Sequence, residues 1–224
     1  MKKIILILIT IFGIKNGFAQ QFPLQSQYQF NYSSINPAAV GEFDHLKMVA
    51  SYRNQWAGFN TQNDQAIATQ YVSFTKGFTS NGLGFTLLND NTGGAFSTSG
   101  FRLSYSHKVI YDTHELFLGI SGGGTKVKMN MSNFNDPAVL TNSDFLPEAT
   151  FGAYVLIQDW KLGFSIPGML NQNIELTSSS QNQIQSHFYT MISYTKELNE
   201  DWALYPSVLI KNTKNHQQVD ANLN

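Results

Sequence analysis

The amino-acid sequence predicts an all-β fold, a transmembrane antiparallel β-barrel of about ten strands. Apolar and polar residues alternate with a two-residue period in segment after segment. Charged residues make up only 13% of the chain, about half the share usual in soluble domains, and no long apolar helix accompanies this low charge. Short and long connections follow one another in turn, which is typical of outer-membrane barrels and has no reason to occur in a soluble sandwich.

Residues 1–19 have the pattern of a secretory signal peptide. Lys2 and Lys3 precede an apolar run of about eleven residues, too short to span a membrane, and small residues precede the expected cleavage site. We therefore expect export and a mature chain that begins at Gln20. Residues 20–45 then form an N-terminal periplasmic or plug segment, and the sequence leaves both options open. The absence of cysteine excludes disulfides, thiolate metal sites and a lipid-modified cysteine.

The barrel is expected over residues 46–224. In its first strand, 46–56, one parity is apolar, and the other carries the polar side chains. The apolar parity consists of Leu46, Met48, Ala50 and Tyr52, and the other of Lys47, Val49, Ser51, Arg53 and Gln55. Further strands are predicted near residues 66–75, 82–87, 101–108, 116–120, 151–157, 160–166, 186–195, 202–210 and 217–224.

The connections between these strands separate into two kinds. Short connections are expected near residues 76–81, 111–114, 158–159 and 197–200, and long ones near 57–65, 89–97, 126–147 and 168–185. Because bacterial barrels have short periplasmic turns and long outer loops, this order predicts which end of each strand faces the periplasm.

Arg53 indicates which parity faces the lumen. An arginine on the lipid face costs about 2–4 kcal/mol near the bilayer midplane, so we expect Arg53 to point inward. The opposite parity carries Tyr52 and Trp56, and Trp56 fits the membrane interface. Arg53 and Gln55 are expected to share a hydrogen-bond network with Asp220 and Asn222 of the last strand. The expected lumen-facing polar residues, Arg53, Arg102, Lys108, Lys161, Lys211 and Asp220, give a polar and partly cationic interior.

Other classes of function find little support in the composition and motifs. The formal net charge of −1 provides no basic surface for nucleic acid. The five histidines have no metal-ligand spacing, and no G-x-S-x-G motif is present. The sequence LNDNTGG at 88–94 lacks the downstream glutamate of a calcium loop and reads as a long outer hairpin turn. We therefore expect no catalytic, cofactor or metal site.

Several ordered motifs resemble the PorP/SprF family of type IX secretion outer-membrane proteins. The mature N-terminus reads QFPLQSQYQFNYSSINPAAVG and is followed by YRNQWAGF, NGLGFTLLNDNTGG, LYPSVLIKN and QVDANLN. The matching residues are Asn36, Pro37, Ala38, Gly41, Tyr52, Arg53, Gln55, Trp56 and Gly58, then Gly82, Gly84, Asp90 and Gly93, then Pro206, Ser207, Lys211, Gln218, Asp220 and Asn222. The resemblance covers nearly the whole mature chain.

The resemblance implies a non-enzymatic outer-membrane β-barrel without a cofactor. Such a barrel would help the type IX machinery to export, or anchor at the cell surface, proteins that bear a C-terminal sorting domain, in a system that also serves gliding motility. The implied partners are outer-membrane lipids, type IX secretion subunits, periplasmic partner proteins and a cognate secreted protein. The alternation of apolar and polar residues by itself predicts a β-barrel and indicates no function.

The sequence departs from the family pattern at two places. Ala39-Val40 replaces the expected pair of an aromatic residue and alanine, a change that we expect to affect packing only. The chain stops at Asn224 without the terminal aromatic residue that usually closes such a strand series. Since an unclosed sheet edge in lipid leaves backbone groups unpaired, we expect either a portion of a larger barrel of about 14 strands or closure with fewer strands.

Three alternatives remain open from the sequence. Asn36-Pro37 is typical of a turn before the first strand, but it could also contact a periplasmic partner. The polar lumenal parity fits a passive porin for small solutes as well as a secretion component. A secreted β-sandwich that binds glycans through exposed aromatic residues is the third.

Overall fold

The computed structural model describes residues 28–55, 67–92, 96–129, 142–170, 173–174, 182–183, 186–214 and 217–224. Three 3₁₀ turns come first, at Tyr28–Phe30, Tyr32–Ser34 and Pro37–Gly41. The strands are β1 Leu46–Gln55, β2 Ile67–Gly77, β3 Asn81–Thr92, β4 Phe96–Tyr111, β5 His114–Met129, β6 Asn142–Ile157, β7 Trp160–Ile166, β8 Asn173–Ile174, β9 Asn182–Gln183, β10 Phe188–Tyr194, β11 Lys196–Glu197, β12 Ala203–Leu204, β13 Pro206–Asn212 and β14 Gln217–Leu223.

Ten strands form one antiparallel sheet in the order β1-β2-β3-β4-β5-β6-β7-β10-β13-β14. Strands that follow one another along the chain are neighbours in it, apart from two small hairpins, β8-β9 and β11-β12, that are inserted in connections. The predicted all-β barrel architecture is confirmed, although β1 and β14 remain as edges and the sheet is not closed on itself. Among the described residues, no helix has the length and apolar character needed to cross a lipid bilayer.

Most predicted strands are present, and several are longer than the alternation suggests. The strand at 160–166 is β7, and the short connections at 112–113 and 158–159 are tight turns in which Asp112 and Gln158 have φ of 56° and 51°. The predicted long loop at 89–97 is wrong, because β3 runs to Thr92 and β4 begins at Phe96. The motif LNDNTGG therefore lies largely in a strand, where Ser99 Oγ donates to Asn89 Oδ1 across the pair (2.8 Å).

The two faces of the sheet have opposite character. Buried positions on one face include many small polar residues, namely Ser73, Ser104, Ser106, Ser121, Thr150, Ser165, Ser193 and Ser207, beside the larger Phe117, Tyr154, Met191 and Leu209. The other face exposes large apolar side chains, among them Leu46, Met48, Leu83, Leu103, Leu118, Ile120, Phe164 and Ile192. We call these the inner face and the outer face. An apolar exterior around a polar interior reverses the soluble pattern and is the pattern of a membrane barrel.

The sheet curves around residues 28–45, which we call the inner segment. Lys47 Nζ, on β1, donates to Phe30 O (2.9 Å). Asn222 Nδ2, on β14, donates to Tyr28 Oη (2.9 Å). Both edge strands therefore reach the same 3₁₀ turn although eight strands separate them in the sheet. Such contacts require barrel-like curvature.

Candidate functional site: the inner face and the inner segment

Asn36 starts the third 3₁₀ turn and ties it to the sheet. Its Oδ1 accepts from Ala38 N (3.0 Å), and Pro37 occupies the first position of the turn, where no backbone N–H is needed. Its Nδ2 donates to Ala153 O on β6 (2.8 Å) and to Phe164 O on β7 (3.2 Å). Asn36 is 3% exposed, so the turn is buried within the chain itself. The polar groups of this side chain are therefore used within the chain.

Glycines on the inner face allow the third turn to lie directly on the strand backbones. A methyl group at Gly82 would overlap the Cα of Gly41, and one at Gly119 would overlap the backbone of Ala38. Other inner positions crowded by the inner segment are Gly77, Gly84 and Gly152. Gly122 faces the other way, opposite Leu103 on the outer face, and has open space where its Cβ would lie. We call Gly77, Gly82, Gly84, Gly119 and Gly152 the glycine seat. The inner segment packs directly against their backbone, and any larger residue at these positions would displace it.

An ion pair fixes the end of the third turn. Lys161 Nζ, on β7, donates to Glu42 Oε1 at 2.6 Å, with side-chain exposures of 29% and 6%. The same ammonium lies 5.8 Å from the ring centroid of Tyr32. Burial raises the pKa of Tyr32, so its hydroxyl stays neutral beside the pair. Glu42 is therefore almost fully buried beside the Lys161 ammonium, which also faces the ring of Tyr32.

Arg102 connects the second turn of the inner segment to the wall of the sheet. Its Nη1 donates to Ser34 O (3.0 Å), and its Nη2 lies 3.7 Å from Glu148 Oε2 on β6. The Oε1 atom of Glu148 accepts from Thr125 Oγ1 (2.5 Å). A planar guanidinium can serve two acceptors at once, which a lysine ammonium does with less defined geometry.

Further hydrogen bonds hold the segment along its length. Asn31 Nδ2 lies 3.0 Å from both Tyr71 Oη and Ser73 Oγ, on β2. Ser165 Oγ, on β7, donates to Ile35 O (2.7 Å). Together with the contacts of Lys47, Arg102, Asn36 and Tyr28, the segment is bonded to β1, β2, β4, β6, β7 and β14. It lies across the interior and is not attached to one wall alone.

Four of the five cations expected in the interior are paired with carboxylates. The pairs are Arg102 with Glu148, Lys108 with Glu115, Lys161 with Glu42 and Lys211 with Asp220, at 3.7, 3.6, 2.6 and 2.9 Å. Each of these four positive charges therefore has a negative partner nearby, which offsets its charge within the interior. Within the described part of the chain, no group of three or more potential metal ligands is found.

The motif residues of the first strand lie apart from this network. Arg53 shares an inward row with Thr69 and Asp90 by strand register, and its side chain is exposed. Gln55 lies two positions further along β1, on the same parity, and Tyr52 is exposed on the outer face. Asp90 belongs to β3, where its Oδ1 accepts from Thr69 Oγ1 (2.5 Å). Trp56, Gly58 and Gly93 lie outside the described residues.

Among the residues that the structure describes, the expected network of Arg53 and Gln55 with the last strand is not found. Asp220 pairs with Lys211, and Asn222 donates to Tyr28. The reason is topological: β1 and β14 are opposite edges of the sheet, and the inner segment occupies the space between them.

Sequence reasoning missed several residues that hold the site together, above all Glu42, Glu148, Tyr28 and Asn31. Glu42 follows a glycine outside any alternating run, so no periodic signal marks it. Glu148 lies between the loop expected at 126–147 and the strand expected at 151–157, and only the extension of β6 back to Asn142 brings it onto the inner face. A signal for Glu42 does exist, since a carboxylate before a strand series rich in inward lysines needs a cationic partner once it is buried.

Comparison with known families agrees with this architecture. Residues 17–224 match the family model described as type IX secretion system membrane protein PorP/SprF. No curated protein matches the chain.

Proposed function

The chain belongs to the PorP/SprF family of type IX secretion system membrane proteins, and from this premise we propose that it acts in the outer membrane, where it assists the export or surface anchoring of proteins that bear a C-terminal sorting domain. The family match over residues 17–224 carries the proposal. The proposed role is transport and anchoring, with no chemical reaction and no cofactor. The proposed partners are other type IX subunits, periplasmic proteins and one cognate secreted protein.

The two faces of the sheet support a location in the outer membrane. The apolar outer face suits acyl chains, and aromatic residues gather near the tight turns, where Trp160 and Tyr194 lie with ring centroids 4.7 Å apart. At the other end of the strands, the outer face carries polar Gln70, Asn89 and Ser99. A band bounded in this way fits a bilayer, and export by the signal peptide proposed at residues 1–19 would deliver the chain to it.

The inner segment distinguishes a secretion component from a passive porin. A porin needs a water-filled lumen, whereas here a buried segment crosses the interior and binds six strands. We therefore propose that residues 28–45 act as a plug. The purified protein in planar bilayers is expected to stay closed to small ions, and steady open-channel conductance would favour the porin.

Deletion of the gene tests the proposed role directly. We expect the deletion strain to lose surface display of one secreted protein with a C-terminal sorting domain, because its export or anchoring depends on this barrel. Uptake of small solutes should be unchanged, and a plasmid copy of the wild-type gene should restore display. Normal display of every such protein in the deletion strain would contradict the proposal.

A further inference from the structure

A compact polar cluster lies on the outer face at the β2-β3 turn, at one edge of the apolar band. Asn81 Oδ1 accepts from Tyr105 Oη (2.7 Å) and lies 3.0 Å from His107 Nδ1. Strand register places Asn81 opposite His107, and Leu83 opposite Tyr105. All three polar side chains of the cluster are exposed. Because polar groups are costly at hydrocarbon depth, the cluster marks the level at which acyl chains give way to headgroups.

Lys76 adds a positive charge to this cluster. Its Cα faces Leu46 on β1 and Leu83 on β3, in an apolar row, but its Nζ lies 5.2 Å from the ring centroid of Phe78. Phe78 N donates to Asn81 O (2.6 Å), so the ammonium has moved along the strand toward the level of Asn81. Lys76 forms no ion pair with any described residue.

This cation differs from those of the inner face. Arg102, Lys108, Lys161 and Lys211 all have carboxylate partners, whereas Lys76 is exposed beside neutral hydrogen-bonding groups. The Asn81 amide nitrogen adds a donor on the neighbouring strand β3, and the His107 ring on β4, whose Nδ1 donates to Asn81 Oδ1, lies beside it. The chemistry of the cluster is therefore one cation and several donors at the headgroup level, complementary to a phosphate whose acyl chains would lie along the apolar outer face.

We propose that Lys76, Asn81 and His107, with Phe78 and Tyr105 beside them, bind the phosphate of a membrane phospholipid. The site takes a lipid of the leaflet that meets the tight turns. Phe78 and Tyr105 provide contact for the glycerol and the upper acyl chain, with exposures of 44% and 43%. This inference goes beyond secretion, because it concerns a specific lipid on the outer face and uses no residue of the inner segment.

Native mass spectrometry of the full mature chain in detergent can test the site. The protein is titrated with phosphatidylglycerol and, separately, with diacylglycerol of the same acyl chains, which lacks the phosphate. We expect the first phosphatidylglycerol to bind more tightly than diacylglycerol. Lys76→Gln should weaken phosphatidylglycerol binding by about fivefold, the amount expected for one lost cation near a lipid surface, and leave diacylglycerol unchanged. Lys76→Gln with Asn81→Ala should remove the preference.

Lys196→Gln is the matched control, since Lys196 is an exposed lysine on the small β11-β12 hairpin. It should bind both lipids as wild type does. Folding of each variant is checked by the mobility difference between heated and unheated samples in detergent gels. Equal binding of the two lipids by wild type, or an unchanged preference in a folded Lys76→Gln variant, overturns the inference. Either outcome leaves the gene-deletion test of secretion unaffected, so the two proposals fail separately.

Discussion

Lys161 Nζ and Glu42 Oε1 lie 2.6 Å apart although 119 positions separate the two residues in the chain. The contact joins the end of the inner segment to the middle of the sheet, and Glu42 is 6% exposed in its side chain. A carboxylate so deeply buried needs its partner, because an unpaired buried charge is strongly destabilising. The pair therefore links the position of the inner segment to the stability of the whole barrel.

Removing Lys161 should destabilise the protein by about 2 kcal/mol, less than the 3–5 kcal/mol typical of a fully buried pair, because Lys161 is 29% exposed. We expect Lys161→Met to lower the urea midpoint of the folded form. Glu42→Gln added to Lys161→Met should recover much of the loss, since the stranded charge is then absent. Lys196→Met serves as the exposed control. The role assigned to the pair is wrong if Lys161→Met and Lys196→Met are equally stable.

The glycine seat predicts a contrast between two positions of the same strand. Gly119→Ala would force a methyl group into the backbone of Ala38 on the inner face, whereas Gly122→Ala adds a methyl group in open space on the outer face. We expect Gly119→Ala to displace the inner segment and raise the single-channel conductance of the reconstituted protein. Gly122→Ala should stay closed. Comparable closed behaviour of the two folded variants would show that the segment does not seal the interior.

Asn36→Asp should make stability depend on pH. The aspartate can still accept from Ala38 N, but its carboxylate cannot donate to Ala153 O and Phe164 O and would face both carbonyl oxygens. We expect a loss of about 3 kcal/mol at pH 7. Burial raises the pKa of such an aspartate above its unfolded value, so stability should return as pH falls and the protonated carboxyl donates again.

The control for this variant is Asn199→Asp. Asn199 uses only its Oδ1, which accepts from Asp201 N and Trp202 N in an exposed turn, and an aspartate keeps both bonds. Urea unfolding from pH 7 to pH 4 should therefore separate the two variants at pH 7 and bring them together in acid. A pH-independent difference would contradict the assigned donor role of Asn36.

The alternation of the sequence predicts the sheet well where one face is apolar. Leu116, Leu118 and Ile120 are all on the outer face, with Phe117 buried between them. The period of the pleat is two, so a single apolar parity fixes which face each residue occupies. The prediction of strands from alternation is less accurate at strand ends that extend past the apolar part of the outer face. At Asn89 and Asp90 both faces of β3 are polar, so a paired strand there resembles a loop.

The inner segment could not be predicted in the same way. Asn36 contacts Ala153, which is 117 positions away, and no local pattern announces such a partner. The Asn36-Pro37 pair does predict the turn itself, because proline restricts the backbone conformation of the residue before it. Its burial depends on inner glycines such as Gly152, whose missing side chain leaves room for the Asn36 amide. The position of the inner segment therefore depends on long-range packing, which the local sequence does not predict.

The orientation of β1 gives a prediction that uses the absence of cysteine from the chain. Arg53 lies on the inward row with Thr69, and Leu103 is 59% exposed on the apolar outer face of β4. In the reconstituted protein, Arg53→Cys should react with a charged, water-soluble maleimide, because its side chain meets water above the inner segment. Leu103→Cys should resist that reagent and react with a lipid-soluble one, since acyl chains surround it. If Arg53→Cys reacts only with the lipid-soluble reagent, the two faces of the sheet have been assigned the wrong way round, and the proposed placement in the membrane fails with them.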